Sequence, residues 1–227
     1  MLVYKDINYE LIRRKRKSSS LIVENDGTVK LIVPLDTSIE DIECVLESKR
    51  YWIYIKKAEF EALNHSKVDR KFVNGQGFMY LGSSYRLEIV EDLDVDLKLY
   101  RGKFYLKKSK LDNASEVFKS FYREKGLKKI IERINLYKNM IGVEPKNIRV
   151  MELQNRWGSC TEHGNLNFNF KCMMAPLSVI DYIVVHELAH IKYNDHSLDF
   201  WNIIDKVIPD YENKKNWLRK NGASLDI

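Results

Sequence analysis

The chain has 227 residues, 44% of them hydrophobic, which is enough for one large domain or two small ones with buried cores. Its 38 basic and 32 acidic side chains give a formal net charge of +6, but both signs are interspersed, which favours a solvated surface over a polyanion-binding one. No run of 18 apolar residues occurs, and Met1–Asp6 lacks a continuous apolar segment, so the sequence argues against membrane insertion and secretion. The three cysteines form no CxxC pair, and we expect reduced thiols in a cytoplasm.

Residues 1–110 are predicted to form mainly β-strands around one helix. Asp26-Gly27 and Arg101-Gly102 are typical of hairpin turns between strands. The helix is expected to begin near Thr37-Ser38, with one of these hydroxyls as its N-cap, and to run through Trp52 to about Leu63. The predicted strands are Tyr9–Ile12, Ser20–Val23, Val29–Val33, Phe78–Leu81, Tyr85–Val90, Asp96–Tyr100 and Lys103–Lys107.

Residues 111–227 are predicted to contain more helix. A basic amphipathic helix over 114–140 is expected to end at Gly142, and three strands and three helices follow. A strand-rich tract gives way to a helical one near residues 108–114, so we place a domain boundary between residues 110 and 111. No internal repeat is evident. The predicted later elements are the strands Ile148–Leu153, Trp157–Thr161 and Asn165–Phe170, a helix ending near Tyr193, and the helices Ser197–Ile208 and Tyr211–Lys220.

Three of the five histidines fall within eleven residues, as His186, His190 and His196, and Glu187 directly follows the first. On an α-helix positions i and i+4 share one face, about 6 Å apart, so His186 and His190 can bind one Zn²⁺ at ~2.0–2.1 Å. Glu187 lies one step round the helix, beside the open coordination position where the base for a zinc-bound water is needed. Three protein ligands plus water describe a catalytic zinc site, whereas a structural site is closed by four.

The helix that carries this motif is expected on independent grounds. Pro176-Leu177-Ser178 offers a start signal, and Ser178 with Asp181 resembles a capping box. The helix is expected to stop near Asn194 and Asp195, because these residue types tolerate the left-handed conformation, and the reversal would return His196 to the metal. Apolar residues recur at spacings of three and four and predict a buried face made of Ile180, Ile183, Val184, Leu188 and Ile191.

Two further clusters have simpler interpretations. The basic run Arg13–Lys17 suggests a nucleic-acid patch, but such runs usually mark solvated edge strands. Cys160, His163 and Cys172 offer no fourth zinc ligand at a familiar spacing, so we expect ordinary thiols in a hairpin.

Several short motifs, spread over nearly the whole chain, carry a resemblance to a known family. They are Phe72-Val73-Asn74-Gly75, Leu81-Gly82-Ser83-Ser84-Tyr85-Arg86-Leu87, Arg156-Trp157-Gly158-Ser159-Cys160, Asn165-Leu166-Asn167, Ala175-Pro176, the run from Ile180 to His190, Asn194-Asp195-His196-Ser197, Phe200-Trp201 and Pro209-Asp210-Tyr211. This set resembles the YgjP-like metallopeptidase family, which is related more distantly to SprT-like proteins and other small zincins.

The resemblance implies an α+β fold, in which a compact zincin-type catalytic domain over 111–227 packs its active-site helix against a small sheet and follows a strand-rich region over 1–110. It implies that His186, His190 and His196 bind one Zn²⁺ and that Glu187 is the catalytic glutamate. It also implies that the segment from Trp157 to Cys160 forms a strand beside the cleft. An extended peptide can add to such a strand, so Trp157, Gly158 and Ser159 are candidate substrate-binding residues.

The histidine spacing equals that of metzincins, but other features depart from that group. Tyr193 stands where metzincins have a turn glycine, and no methionine follows Met174. Tyrosine does not adopt a positive φ cheaply, so we expect the turn at Asn194 or Asp195.

The predicted function is zinc-dependent hydrolysis of peptide bonds in a peptide or protein substrate, through a zinc-bound water activated by Glu187. Two alternatives stay open. One is a zinc hydrolase of a nucleotide or another amide, because a three-histidine centre is chemically permissive. The other is a nucleic-acid-associated zinc protein, in which the basic run Arg13–Lys17 recruits the enzyme to DNA or RNA, or in which zinc serves structure alone. No membrane partner is expected.

Overall fold

A computed structural model describes residues 1–24, 26–64, 70–154 and 156–227, with no side-chain description for 59–64. Over these ranges the chain is mixed α+β, with six α-helices and three β-sheets, as the predicted fold class requires. It divides into two units, Met1–Lys67 and Val68–Ile227. No helix in these ranges is long and apolar enough to cross a membrane.

The first unit is a four-stranded sheet followed by two helices. Its strands are β1 (Leu2–Tyr4), β2 (Ile7–Arg13), β3 (Ser20–Val23) and β4 (Val29–Val33), in the order β1-β2-β4-β3, and its helices are α1 (Ile39–Ser48) and α2 (Arg50–Asn64). Ser38 caps α1 as predicted, its Oγ accepting a hydrogen bond from the Asp41 amide at 3.1 Å. The prediction of one continuous helix is wrong, because the backbone leaves the helical region at Lys49 (φ −106°, ψ 5°).

The second unit begins with a sheet of the same topology. It contains β5 (Gly77–Tyr80), β6 (Ser83–Val90), β7 (Leu97–Tyr100) and β8 (Lys103–Lys107), in the order β5-β6-β8-β7. In both sheets the central pair is parallel and the outer pairs are antiparallel. This shared topology is not evident in the sequence, because the two sheets have the same order of strand pairing but different residues.

Helix α3 (Ala114–Ile141) packs on this second sheet through aromatic residues and ends at Gly142 as predicted. The Phe118 ring lies 4.3 Å from that of Phe78 and 5.2 Å from that of Phe104, measured between centroids. One core therefore joins strand-rich and helical tracts. The predicted boundary between residues 110 and 111 lies inside the second unit, because the change of pattern there marks a change of element and not the end of a core.

The remaining elements surround the histidine helix. They are β9 (Asn147–Met151), β10 (Gly158–Cys160), β11 (Asn165–Asn169), α4 (Leu177–Lys192), α5 (Leu198–Val207) and α6 (Tyr211–Asn221). The sheet order is β10-β11-β9, so β10 is an edge strand, and α4 packs against α3, α5, α6 and β10. The predicted apolar face of α4 is confirmed, with Ile180, Ile183, Val184 and Leu188 buried and Ile191 packed against the same core.

Helix α4 starts within the predicted start signal Pro176-Leu177-Ser178, but the predicted cap differs. The helix begins at Leu177 after Pro176, whose carbonyl accepts from the amides of Val179 and Ile180 at 2.9 and 3.1 Å. No side chain in the described part of the chain caps it, so the predicted capping box is wrong. The Asp181 carboxylate pairs with Arg133 of α3 instead.

Candidate metal and catalytic site

Helix α4 and the turn after it bring three histidines together. Their ligating nitrogens all lie within 4.8 Å of one another. His186 and His190 are half-buried on α4, and His196 is exposed beyond its end. Within the described ranges, this trio is the group of His, Cys, Asp or Glu side chains that has the spacing of a metal site.

The turn that returns His196 uses an extended residue. Helix α4 ends at Lys192, Tyr193 is extended (φ −129°, ψ 115°), and the chain bends at Asn194 and Asp195. The location of the turn agrees with the prediction. The expected left-handed residue there is wrong, because positive φ among the described non-glycine residues occurs at Lys5, Leu81 and Arg101 only. The Asp195 carboxylate accepts from the Ser197 amide at 3.3 Å and supports the bend locally.

The same turn orients His190. Its Nδ1 lies 3.0 Å from the backbone carbonyl oxygen of Tyr193. A carbonyl only accepts, so Nδ1 carries the proton and Nε2 has the free lone pair. This kind of hydrogen bond fixes the ring of metal-ligating histidines elsewhere.

The donor set fits a small divalent cation. Nε2 of His186 lies 3.3 Å from Nε2 of His196. Two nitrogens ~2.0–2.1 Å from a tetrahedral Zn²⁺ would be about 3.3 Å apart. Burial and the two neighbouring imidazoles lower the pKa of His186 to about 3, so this ring is neutral at pH 7, the form that binds metals. Its buried Nδ1 has no hydrogen-bond partner in the described residues.

Aromatic rings of α5 pack against the three histidines. The Phe200 ring of α5 is fully buried, and its centroid lies 5.0, 4.5 and 4.8 Å from those of His186, His190 and His196. Trp201 stacks on His196 at 5.7 Å. These contacts restrict rotation of the imidazoles. In the sequence, the Phe200-Trp201 motif is the feature that points to these two rings.

Glu187 lies on α4 beside the cluster and is 5% exposed. Burial raises the pKa of its carboxyl to about 8, and the nearby Arg156 guanidinium opposes the shift. A bound dication would oppose it further. The pKa of this carboxyl is therefore in the range that suits a general base working near neutral pH.

The edge strand β10 lies directly against Glu187. A Cβ built on Gly158 would meet Oε1, Cδ and Cγ of Glu187 at 2.6, 2.7 and 2.7 Å. The ring of Trp157 packs over Gly222, and Ser159 Oγ accepts from the Asn167 side-chain amide at 3.3 Å. Of the three candidate substrate-binding residues, Gly158 is therefore in contact with the glutamate, whereas the side chains of the other two pack elsewhere in the fold.

The hydrogen bonds of β10 determine which of its backbone groups face outward. The Trp157 carbonyl accepts from the Asn169 amide at 2.8 Å, and the Thr161 amide donates to the Asn165 carbonyl at 3.0 Å. Bonded positions alternate in an antiparallel ladder, so residues 157, 159 and 161 face β11. The backbone groups of Gly158 and Cys160 point to the open edge, where no other described strand pairs.

Members of the other candidate clusters make contacts within the fold. In the first unit, Arg13 of the basic run donates from Nη1 to the carbonyls of Leu35 and Thr37 at 2.9 and 2.8 Å. In the second unit, Cys172 is fully buried and its thiol donates to the Trp157 carbonyl at 3.3 Å. Burial raises the pKa of both Cys160 and Cys172, as expected of thiols that are not activated.

The chain is similar to one family of known proteins and, over part of its length, to a solved structure. Residues 17–221 match the model of the family described as YgjP-like, metallopeptidase domain. The crystal structure of the metallopeptidase zymogen of Pyrococcus abyssi abylysin is similar to part of the chain, with a TM-score of 0.39 and 19% identity over 43% of this chain and 99% of that one. Among curated proteins no match is found.

The family match covers most of the chain, and it makes the protein a metallopeptidase, an enzyme that hydrolyses peptide bonds with the aid of a metal ion. More specifically, the chain belongs to the YgjP-like metallopeptidase family. The resemblance inferred from the sequence motifs is thereby confirmed, and peptides are the class of substrate that membership implies.

Proposed function

We propose that this metallopeptidase uses one Zn²⁺ ion, bound by His186, His190 and His196, and that Glu187 is its general base. The observation that carries the proposal is the 3.3 Å separation of the His186 and His196 Nε2 atoms, which suits two ligands of one tetrahedral zinc. The hydrogen bond from His190 Nδ1 to the Tyr193 carbonyl supports it, because it leaves Nε2 as the third donor.

Zn²⁺ bound there supplies Lewis-acid polarisation of the scissile carbonyl and lowers the pKa of a water molecule. The carboxylate of Glu187 takes one proton from the attacking water and later delivers it to the nitrogen of the leaving amine. The peptide bond and one water molecule become a carboxylic acid and an amine. The burial that raises the pKa of Glu187 suits both halves of this transfer, because the group must accept and then release the proton.

The proposed substrate lies extended along the open edge of β10. The outward backbone groups of Gly158 and Cys160 supply one amide and one carbonyl each, at the two-residue spacing of a paired strand. Because such pairing uses main-chain groups, it suits peptides of many sequences. Ser159 and Trp157 contribute by fixing the strand, through Asn167 and Gly222, more than by touching the peptide.

The test compares wild type with Glu187→Gln on a pool of fluorescence-quenched random peptides. Glutamine keeps the size and neutral hydrogen bonding of a protonated glutamate but cannot accept the proton. We expect one Zn²⁺ per chain in both proteins and a loss of general-base catalysis of at least about 100-fold in the variant. Equal turnover by the two zinc-loaded proteins would refute the role of Glu187. A nucleotide or non-peptide amide hydrolysed in place of every peptide would refute the peptide substrate.

A further inference from the structure

Gly158 is the residue of β10 whose missing side chain makes room for Glu187. An added Cβ would lie 2.7 Å from both Cδ and Cγ of the glutamate. Carbon atoms in ordinary contact are about 3.5–4.0 Å apart. Strand and glutamate thus approach each other at a distance that only glycine permits.

The backbone gives no other reason for glycine at this position. Gly158 has no positive φ, unlike the glycines at 27, 75, 82, 102, 142 and 164. It lies in a strand, paired with Phe168, where glycine is disfavoured and often marks the close approach of another group. Glu187 is the group that approaches here.

We propose that Gly158 is a positioning residue. Because it has no side chain, the Glu187 carboxylate can pack directly against the backbone of β10, and this contact sets its location. This inference rests on the proposed role of Glu187 as the base. It assigns Gly158 a function separate from any contact it makes with the peptide through its backbone.

If a methyl group is added at Gly158, the glutamate must yield rather than the strand. On one side of Gly158 the strand is held by the hydrogen bond from the Asn169 amide to the Trp157 carbonyl and by the packing of the Trp157 ring over Gly222. On the other side, beyond Cys160, it is held by the hydrogen bond from the Thr161 amide to the Asn165 carbonyl. The Glu187 carboxylate is the end of a flexible side chain, so its displacement by about 1 Å leaves the fold intact. A misplacement of that size costs catalysis about 100-fold.

The test measures Gly158→Ala beside Gly126→Ala, which adds the same methyl at a buried glycine of α3, where it meets Met173 and Val150 instead of Glu187. We expect Gly158→Ala to bind one Zn²⁺ with unchanged affinity, to lose about 100-fold in kcat and to keep its KM within about threefold. Gly126→Ala keeps its kcat. A loss of zinc in Gly158→Ala, or a normal kcat, would overturn the proposal.

A second variant separates positioning from general damage. Glu187→Asp shortens the side chain by one methylene and so withdraws it from the space that the methyl group of Gly158→Ala would occupy. In the wild-type background it costs activity, whereas in the Gly158→Ala background we expect its cost to be at least about tenfold smaller, since residues in contact couple energetically. Independent, multiplicative losses would overturn the proposal.

Failure of the proposed function has a different signature. If the wild-type protein and Glu187→Gln hydrolyse peptides equally, the base is misassigned whatever Gly158 does. A crystal structure of zinc-loaded Gly158→Ala then decides the positioning claim alone. A carboxylate displaced by about 1 Å from its wild-type place supports it, and an unmoved carboxylate contradicts it.

Discussion

Arg133 of α3 and Asp181 of α4 form a two-point ion pair in which Nε and Nη2 of the arginine donate to the two carboxylate oxygens, the second at 2.9 Å. The side chains are 16% and 12% exposed. Asp181 precedes His186 by little more than one helical turn, so the pair connects the longest helix of the second unit to the helix that carries the histidines.

Removal of one partner of this pair is predicted to destabilise the second unit. Asp181→Ala leaves the mostly buried Arg133 guanidinium without its two-point partner, and Glu132, 3.8 Å away, compensates only in part, so we expect a cost of about 3 kcal/mol. Glu124→Ala is the matched control, because it removes the exposed Glu124–Lys128 pair of α3 and costs no more than about 1 kcal/mol. Urea unfolding measures both in a Trp52→Phe background, where the remaining tryptophans all report on the second unit. Equal costs for the two variants would contradict the prediction.

The proposed ligand set predicts the behaviour of single histidine variants. His196→Ala removes one of three donors, so we expect zinc affinity to fall by more than the 10–100-fold typical of changes beyond the ligands themselves. His163→Ala leaves affinity unchanged, since this histidine is outside the cluster. Competition with a chromophoric chelator at pH 7 measures both. Wild-type affinity in His196→Ala would remove His196 from the ligand set.

Local patterns in the sequence predicted most elements of the fold. Alternation located the strands, the spacing of apolar residues located the buried face of α4, and the i, i+4 histidines placed two imidazoles on one helical face. These features depend on neighbours within about two helical turns, and a single sequence displays such neighbours directly.

Contacts between distant residues could not be predicted in this way. The ion pair joins residues 48 positions apart, and its existence explains why Asp181 is not a capping residue. The approach of Gly158 to Glu187 depends on how an edge strand packs on a helix, which no local spacing encodes. The left-handed residue expected at Asn194 or Asp195 is wrong, because it rests on residue preference alone, whereas the turn is held by partners such as His190, whose Nδ1 bonds to the Tyr193 carbonyl.

The two hairpins of the second unit's first sheet permit a matched prediction. Leu81-Gly82 and Arg101-Gly102 both have positive φ at both positions, as in a type I′ turn. Gly102→Ala meets no atom within 4 Å and costs about 1–2 kcal/mol from its backbone alone. In Gly82→Ala the new Cβ also lies 2.9 Å from Pro176 Cα, just before α4, which adds about 1–3 kcal/mol. Urea denaturation of both variants tests this, and equal losses would show that the hairpin does not press on Pro176.

Asn169 is predicted to hold the segment that leads into β10. It is 4% exposed, and its Nδ2 donates to the carbonyls of Leu153 and Arg156 at 2.7 and 3.1 Å. Asn169→Ala removes both donors and leaves carbonyls without partners, so we expect a loss of about 2–4 kcal/mol in unfolding free energy. Asn147→Ala, at an exposed asparagine of β9, changes it by no more than about 0.5 kcal/mol. A loss below 1 kcal/mol for Asn169→Ala would show that the segment is held by other contacts.

The proposed pairing of a peptide with β10 predicts an alternating response to N-methylation of the substrate. The backbone groups of Gly158 and Cys160 point outward, while those of Ser159 point to β11. A bound peptide therefore uses every second amide, and N-methylation of those amides removes a donor and obstructs the approach of the strand. We expect kcat/KM to fall about tenfold or more at alternate positions and to change little at the positions between them. Each lost hydrogen bond is worth about 1 kcal/mol, and the steric clash of the methyl group adds to that cost.

Steady-state kinetics on a series of singly methylated versions of one cleaved peptide measures the pattern. A uniform response along the peptide would rule out strand addition and would place the substrate against side chains instead.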